Sequence, residues 1–427
     1  MILARIFILR CSLVGLKARK RTRVLSGCTT IPELRRAIIL EYALESTALF
    51  NPSMVWHPDQ SGLPAGSRRF ILSLRATGEG HISSITFRTG VLDAVSRLTL
   101  ETPTKFVTAP ELVVNSMYDL ELFERNLFEM GHSDEFTGLV LAGLNVQFTM
   151  EELKASIHVV EQQQHRKRDA AAILSYSNLL TLAKANYTAY YSEEVPLSER
   201  VLFPTSPTEI NGIEDARFVQ FVEEDGTSCF YATYTAYDGK RTMPQILKTV
   251  DFLQFEMSTL NGPEIENKGL ALFPRKVKGQ YAMLSRQDKE NIFIMFSDNL
   301  NFWYTKEILL EPTFPWEYVQ LGNCGSPMET PSGWLVLIHG VGAMRRYVIG
   351  AVLLDLEDPT QVIGRLKEPL ITPDASLIGG YVPNVVYSCG SQIHNGDLVI
   401  PYAIADSYLT FAFVAVADIL NAMEKSE

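Results

Sequence analysis

Glu214-Asp-Ala-Arg-Phe-Val-Gln-Phe, Lys268-Gly-Leu-Ala-Leu-Phe-Pro, Gly325-Ser-Pro-Met-Glu-Thr and Val382-Pro-Asn-Val-Val-Tyr share one design: a short polar or glycine-containing start that runs into an apolar strand. They begin 54, 57 and 57 residues apart. Each is followed by a turn, at Asp225-Gly226, Lys278-Gly279, Ser332-Gly333 and Asn395-Gly396. A second β-rich strand comes next: Cys229–Ala236, Tyr281–Ser285, Trp334–His339 and Leu398–Ala405. Third strands such as Asn291–Ser297 and Tyr347–Leu354 complete the pattern. A repeat of about 50 residues built from turn-punctuated strands is the signature of propeller blades. A further copy lies upstream, with Asn51-Pro-Ser-Met-Val-Trp, a Gly/Pro turn at Ser61–Gly66, and strands at Arg69–Arg75 and His81–Arg88. The expected fold is therefore all-β, a five-bladed β-propeller whose radial arrangement leaves only short edges and aims each first strand at a central pocket.

What is left over reads as helix. Leu34, Ile38, Tyr42 and Leu49 have helix-like spacing, and Thr149 with Glu152 forms a capping box for a run reaching about Tyr187. The expected division is a basic N-terminal helical segment over 1–49, the first blade over 50–93, a mainly helical insert over 94–200, and the remaining four blades over 201–427. The insert is read as a packing or homo-oligomerisation arm rather than a lid carrying chemistry.

The totals agree with a folded globular chain: 46% apolar and 20% charged residues over 427 positions. Net charge is −11, which argues against broad electrostatic binding of nucleic acid. Residues 1–36 carry nine Lys or Arg against the single acid Glu33, so the remainder sits at −19. Five scattered cysteines, with no CxxC and no metal-like His/Cys spacing, point to buried thiols in a reducing compartment and to no metal or cofactor. Arg5 and Arg10 interrupt the apolar start, which weighs against a secretory signal, and no stretch has the length and apolarity of a membrane span. The expected setting is cytoplasmic.

Gly212-Ile-Glu-Asp-Ala-Arg217 places two carboxylates and an arginine at the mouth of a blade strand. Strand alternation sends Glu214 and Asp215 to opposite sides, so only one of them should serve as an acid. Lys268, Arg275, Arg286 and His339 supply cations in the next two blades, three of them at matching strand ends. Such cations suit an anion, because phosphate is held by charge-assisted hydrogen bonds. In the first blade, Arg75-Ala-Thr-Gly-Glu-Gly-His81 gathers polar groups between two strands, with Arg75, Glu79 and His81 as sugar-binding candidates. Asn51, Glu214, Arg217 and Asp406 join that set, with Asp406 read either as a holder of sugar hydroxyls or as the start of a turn, and Tyr347 either as a hydrogen-bond partner of an anion or as a core tyrosine.

These segments together resemble glycoside hydrolase family 130, the β-mannoside phosphorylases and β-mannosidases. The resemblance rests on Asn51-Pro52-Ser53, Gly212–Arg217, Tyr234-Thr-Ala-Tyr237, Asp251-Phe252, Asn267-Lys268 with Leu272-Phe-Pro274, and Ser285-Arg286. Gly333-Trp-Leu335 with His339-Gly340, Gly350–Asp355 with Asp358-Pro359, Val382-Pro-Asn-Val385 and Ala405-Asp406 complete it. It implies a five-bladed propeller in which Asp215 is the catalytic acid, acting through a mannosyl hydroxyl that relays its proton to the glycosidic oxygen. It also implies phosphate binding by Lys268, Arg286 and His339, with Tyr347 nearby. The expected reaction is cleavage of a β-mannoside oligosaccharide by inorganic phosphate with inversion, giving α-mannose 1-phosphate, and phosphate is a co-substrate rather than a cofactor. Two alternatives stand beside it: an inverting β-mannosidase using Glu214 or Glu79 to activate water, and a non-catalytic sugar-binding propeller. The chain departs from the common motif in having Ala216 where proline is usual, and the 94–200 insert marks a long-form branch.

Overall fold

The computed structural model describes residues 5–7, 48–78, 81–113, 117–163, 170–373 and 382–425. Five antiparallel sheets follow one another as the blades of a propeller. Blade one is Ala48–Trp56, Arg68–Thr77 and Ser83–Leu92, closed on its outside by Val201–Leu202. Blade two is Ile213–Val222, Ser228–Tyr237, Thr242–Thr249 and Gln254–Thr259. Blade three is Ala271–Leu272, Tyr281–Ser285, Ile292–Ser297 and Glu307–Leu310. In blade four, Gln320–Asn323 and Met328–Thr330 share the inner edge of Gly333–Gly342, followed by Arg346–Leu354 and Val362–Arg365. Blade five has Val386–Tyr387 and Gln392–His394 inside Asp397–Ile404, then Tyr408–Ala415.

The middle strands are apolar on both faces because each blade is covered by two neighbours. All ten residues of Gly333–Gly342 are buried. Five apolar seams close the ring. Phe87 of blade one packs against Phe218 and Phe252 of blade two at 6.0 and 5.7 Å between ring centroids. Phe221 and Tyr231 meet Met283 and Met295 of blade three, and Phe273 and Leu284 meet Trp334 and Val336 of blade four. Leu337 and Ile349 meet Ile400 and Val414 of blade five, whose Val399 and Phe411 return to Phe70 and Leu72 of blade one. Fully burying one such side chain contributes about 1.5–3 kcal/mol, so the seams dominate the stability of the ring.

The insert folds around its own core. Its helices are α1 (Leu120–Glu129), α2 (Glu135–Ala142), α3 (Met150–Gln163) and α4 (Ala170–Ala185). Phe123, Val140, Phe148, Ile157 and Leu182 pack together inside them. The capping box read from the sequence forms at the start of α3, where Glu152 accepts from the Thr149 amide at 2.7 Å and the Thr149 hydroxyl accepts from the Glu152 amide at 3.2 Å. The insert is not sealed off from the ring, however. Tyr187–Tyr190 and Glu111–Leu112 extend blade two to six strands, and Val201–Leu202 belongs to blade one rather than to the last four blades. Most of the helix expected before residue 49 lies outside the described residues. Those that are described are strand: Arg5–Phe7 pairs with Tyr408–Ala415 of blade five, and Ala48–Leu49 begins blade one.

Candidate active site

The innermost strands of blades one and two are broken by bulges at equivalent places. Pairing slips between Phe50 and Ser53, and again between Glu214 and Arg217. Asn51 and Asp215 occupy these bulges with φ of 50° and 55°, a region that costs a branched or bulky residue most and Asn or Asp least. The strain is compensated by contacts. Asn51 Nδ2 donates to Asp215 Oδ1 at 2.6 Å, and Arg217 Nη1 donates to the Asp215 carbonyl at 3.0 Å.

The bulge overturns the alternation argument. Glu214 and Asp215 do not face opposite ways; both carboxylates meet the guanidinium of Arg75, which donates to Glu214 Oε1 at 2.7 Å and to Asp215 Oδ1 at 3.4 Å. Arg75 is held in place by its Nε bond to Ser83 at 2.9 Å and lies over the Phe50 ring. Lys268 Nζ reaches the other Glu214 oxygen at 3.5 Å. Burial pushes the Asp215 carboxyl up, but Arg75, Lys268, Arg217 and the Asn51 hydrogen bond outweigh it and hold it at about 2. Asp406, at the blade-five strand end, behaves in the opposite way. Burial and the neighbouring Asp215 charge raise it to about 6 against the pull of Arg75.

Arg286 stands beside this group and is buried, with Nε donating to the Lys268 carbonyl at 3.2 Å. Among the described residues it has no carboxylate partner. His339 lies against it, Nε2 to Arg286 Nη1 at 3.4 Å, and is stacked on Tyr347 with centroids 5.9 Å apart. His339 was expected to be a cation, and here the structure corrects the sequence. Burial, together with Arg286 and Arg217, drives its pKa well below 6.5, so it is a neutral imidazole near pH 7. The local charges are then Arg75, Arg217, Lys268 and Arg286 against Glu214, Asp215 and Asp406. That leaves a surplus of one positive charge, or two when Asp406 is protonated. Fixed donors with excess positive charge, the arginines largely buried and Lys268 partly exposed, make this group a candidate anion site.

Other expected site residues are placed less centrally. Arg217 is fully buried beneath Asp215, with Nη2 on the Tyr387 hydroxyl at 2.8 Å. His81 is exposed in the turn after Arg75, and Glu79 lies outside the described residues. Arg275 forms a two-pronged pair with Glu329 at 2.8 and 3.0 Å, away from Asp215. Sequence reading missed Gln320, Asn323 and Tyr387. Asn323, two residues before the blade-four repeat start, carried the only usable signal, as a polar residue at a strand mouth.

The fold and this group define a propeller that gathers carboxylates and a candidate anion site along its inner strands, a layout that suits an enzyme cleaving glycosides. The family model described as beta-1,4-mannooligosaccharide phosphorylase matches residues 187–425, and the chain belongs to that family, glycoside hydrolase family 130. A 1,2-beta-oligomannan phosphorylase from Thermoanaerobacter sp. (strain X514) is 35% identical over 230 residues, covering 52% of this chain and 75% of that one. A beta-1,2-mannobiose phosphorylase from Listeria innocua is 32% identical over 236 residues, 52% of this chain and 63% of that one. The solved structure of the beta-1,2-mannobiose phosphorylase from Listeria innocua in complex with beta-1,2-mannobiose superposes with a TM-score of 0.52 at 22% identity. It covers 89% of this chain and 92% of the other, a likeness of fold.

Proposed function

We propose that the protein is an inverting β-mannoside phosphorylase, transferring the mannosyl unit of a β-mannoside to inorganic phosphate. One observation carries the reading. Arg286 is a buried cation with no carboxylate partner among the described residues, set beside Lys268 within reach of the Asp215 cluster. A hydrolase needs a second carboxylate free to take a proton from water. Glu214 is poorly placed for that, because both of its oxygens are engaged by Arg75 and Lys268. The names of the relatives above, which are phosphorylases of 1,2-linked mannosides, support the same reaction class.

In this reading Lys268 and Arg286 hold phosphate, and Asn51, Arg75, Glu214 and Asp406 hold the mannosyl unit. Asp215 supplies the proton through a sugar hydroxyl to the glycosidic oxygen. The bond from the anomeric carbon to that oxygen breaks, and the shortened saccharide leaves with the proton. A phosphate oxygen forms the new bond from the opposite face, giving α-mannose 1-phosphate. The three described cysteines, Cys229, Cys324 and Cys389, are buried and free, which suits the cytoplasm as the setting. The test is cleavage of β-1,2- and β-1,4-mannobiose with and without phosphate. Sugar phosphate in the product supports the proposal, and equal rates yielding only free mannose sink it.

A further inference from the structure

Thr205-Ser-Pro-Thr-Glu209 and Thr313-Phe-Pro-Trp-Glu317 repeat one pattern 108 residues apart. Each leads into the inner strand of a blade, Ile213–Val222 in blade two and Gln320–Asn323 in blade four. In both, the glutamate is 0% exposed and one of its oxygens accepts from the two amides that open the pattern. Glu209 Oε2 accepts from Thr205 and Ser206 at 3.0 and 3.1 Å, and Glu317 Oε2 from Thr313 and Phe314, each at 2.8 Å. Their remaining partners differ. Glu317 meets Arg365 at 2.7 Å, an ordinary buried ion pair. Glu209 has no cation partner among the described residues, and its other contacts are the hydroxyls of Tyr234 at 2.8 Å and Tyr187 at 3.2 Å. A carboxyl group buried among neutral donors is a poor source of stability. What it does supply is a fixed place for the turn.

That turn stands one step from the acid. The Glu209 carbonyl accepts from the Gly212 amide at 2.6 Å, and Gly212, with φ of +128°, bridges to Ser83 of blade one. A β-carbon at Gly212 would stand 2.9 Å from the Ser83 amide nitrogen, so the two backbones are in contact. Ser83 Oγ accepts from Arg75 Nε at 2.9 Å. Just beyond Gly212, the strand carries Glu214 and Asp215 onto the same guanidinium. Both halves of the Arg75–Asp215 pair are thereby tied to Gly212, the acid through its strand and the arginine through Ser83.

We infer that Glu209 is a positioning residue for the acid: it locks the turn over 205–212, and through Gly212 and Ser83 it sets how Arg75 and Asp215 meet. Its carboxyl group is enclosed by the turn amides and the two tyrosines, so it acts through the backbone rather than on the sugar. Tyr187 opens the strand that follows α4, so the exit of the helical insert supplies one of the groups holding this turn. This role of Glu209 rests on the proposed function of Asp215 as the proton donor.

Three variants of the full chain test it, each checked by urea unfolding for a cooperative transition. Glu209→Ala removes the acceptor, Glu209→Gln keeps the shape and one acceptor oxygen, and Tyr234→Phe removes one hydroxyl. The first readout needs no turnover. The Asp215 carboxyl carbon, followed by NMR in carbon-labelled protein and assigned by its loss in Asp215→Asn, should titrate about one unit higher in Glu209→Ala than in the parent, because Arg75 is the largest charge holding it down. Glu209→Gln should reverse most of that shift. In phosphorolysis of β-1,2-mannobiose, kcat should fall roughly ten- to a hundred-fold in Glu209→Ala. Phosphate affinity by calorimetry should stay within about threefold, because Lys268 and Arg286 stand on blade three. A folded Glu209→Ala protein with the Asp215 titration and kcat of the parent would overturn the inference. So would phosphate affinity falling in step with kcat, the mark of a general loosening. Should Glu209→Ala fail to fold, Tyr234→Phe decides by the same readouts: a raised Asp215 titration with a lowered kcat supports the role, and parent values overturn it. A parent that cleaves mannosides equally well without phosphate would instead sink the phosphorylase reading, while a raised Asp215 titration in Glu209→Ala would still support the positioning role.

Discussion

Replacing Arg75 by methionine separates the electrostatics of the site from its packing. The side chain is 18% exposed and holds two carboxylates, Glu214 at 2.7 Å and Asp215 at 3.4 Å. Removing one partner of a buried pair costs about 3–5 kcal/mol, and the residual exposure of Arg75 puts this case near 3. The pH dependence carries the information. In the parent, Asp215 titrates at about 2 instead of 3.8. Its contribution, roughly 2 kcal/mol at 1.36 kcal/mol per unit, is present above pH 3.8 and lost as the pH falls toward 2. In Arg75→Met the Asp215 carboxyl keeps the upward push of burial and loses its largest counter-charge, so the variant loses stability as the pH rises. Urea unfolding at pH 7 and pH 4.5 should therefore show a destabilisation of about 3 kcal/mol that shrinks to about 1 at the lower pH. An equal loss at both would mean that Arg75 contributes only packing, and the electrostatic account of Asp215 would fail.

Asp215→Asn keeps the shape but cannot donate a proton, so turnover should fall roughly 10²–10⁴-fold in a phosphorolysis assay; activity within a few-fold of the parent would mean that the acid is another group. Asp406 has the opposite sign from Asp215. Its pKa is raised to about 6, so its contribution is present below pH 3.8 and lost as the pH rises through 6. Asp406→Asn should thus unfold with the parent at pH 4 but outlast it by about 1–2 kcal/mol at pH 8, allowing for its partial exposure. An identical difference at both values would refute the assignment.

The blades were legible because their signal is local: turns at Asp225-Gly226 or Ser332-Gly333 and apolar runs between them recur at fixed spacing, and the structure places strands on both sides of each. The outermost strands were not, because Val201–Leu202 and Tyr187–Tyr190 are too short to show a period and join sheets whose other strands lie elsewhere in the chain. Asp215, Lys268 and Arg286 could be singled out by position at strand ends. Their relation could not. A bulge is a backbone event that strand alternation cannot foresee, and it brought Glu214 and Asp215 onto one guanidinium. The charge of His339 was misread for a related reason, since residue type suggests a cation while burial beside two arginines makes it neutral.

The low pKa of Asp215 raises a question that the site itself answers. A general acid works best when its pKa lies near the working pH, and a carboxyl at about 2 is ionised at neutral pH by about five orders of magnitude. The groups that hold it down are Arg75, Lys268 and Arg217, and Lys268 is also an anion ligand in the proposed reaction. If the phosphate held by Lys268 stands about 6 Å from Asp215, its double charge at an effective dielectric of about 20 disfavours the carboxylate by about 5 kcal/mol, or roughly four units. That would lift Asp215 to about 6, where it can carry a proton. The acid would then be armed by the co-substrate, which explains why mannoside without phosphate should be cleaved slowly even if water can enter. The carboxyl carbon of Asp215, assigned by its loss in Asp215→Asn and followed by NMR in carbon-labelled protein, should titrate below pH 3 alone and between about 5 and 7 with saturating phosphate. A carboxyl that stays ionised down to pH 4 in the presence of phosphate would break this link between the anion site and the acid.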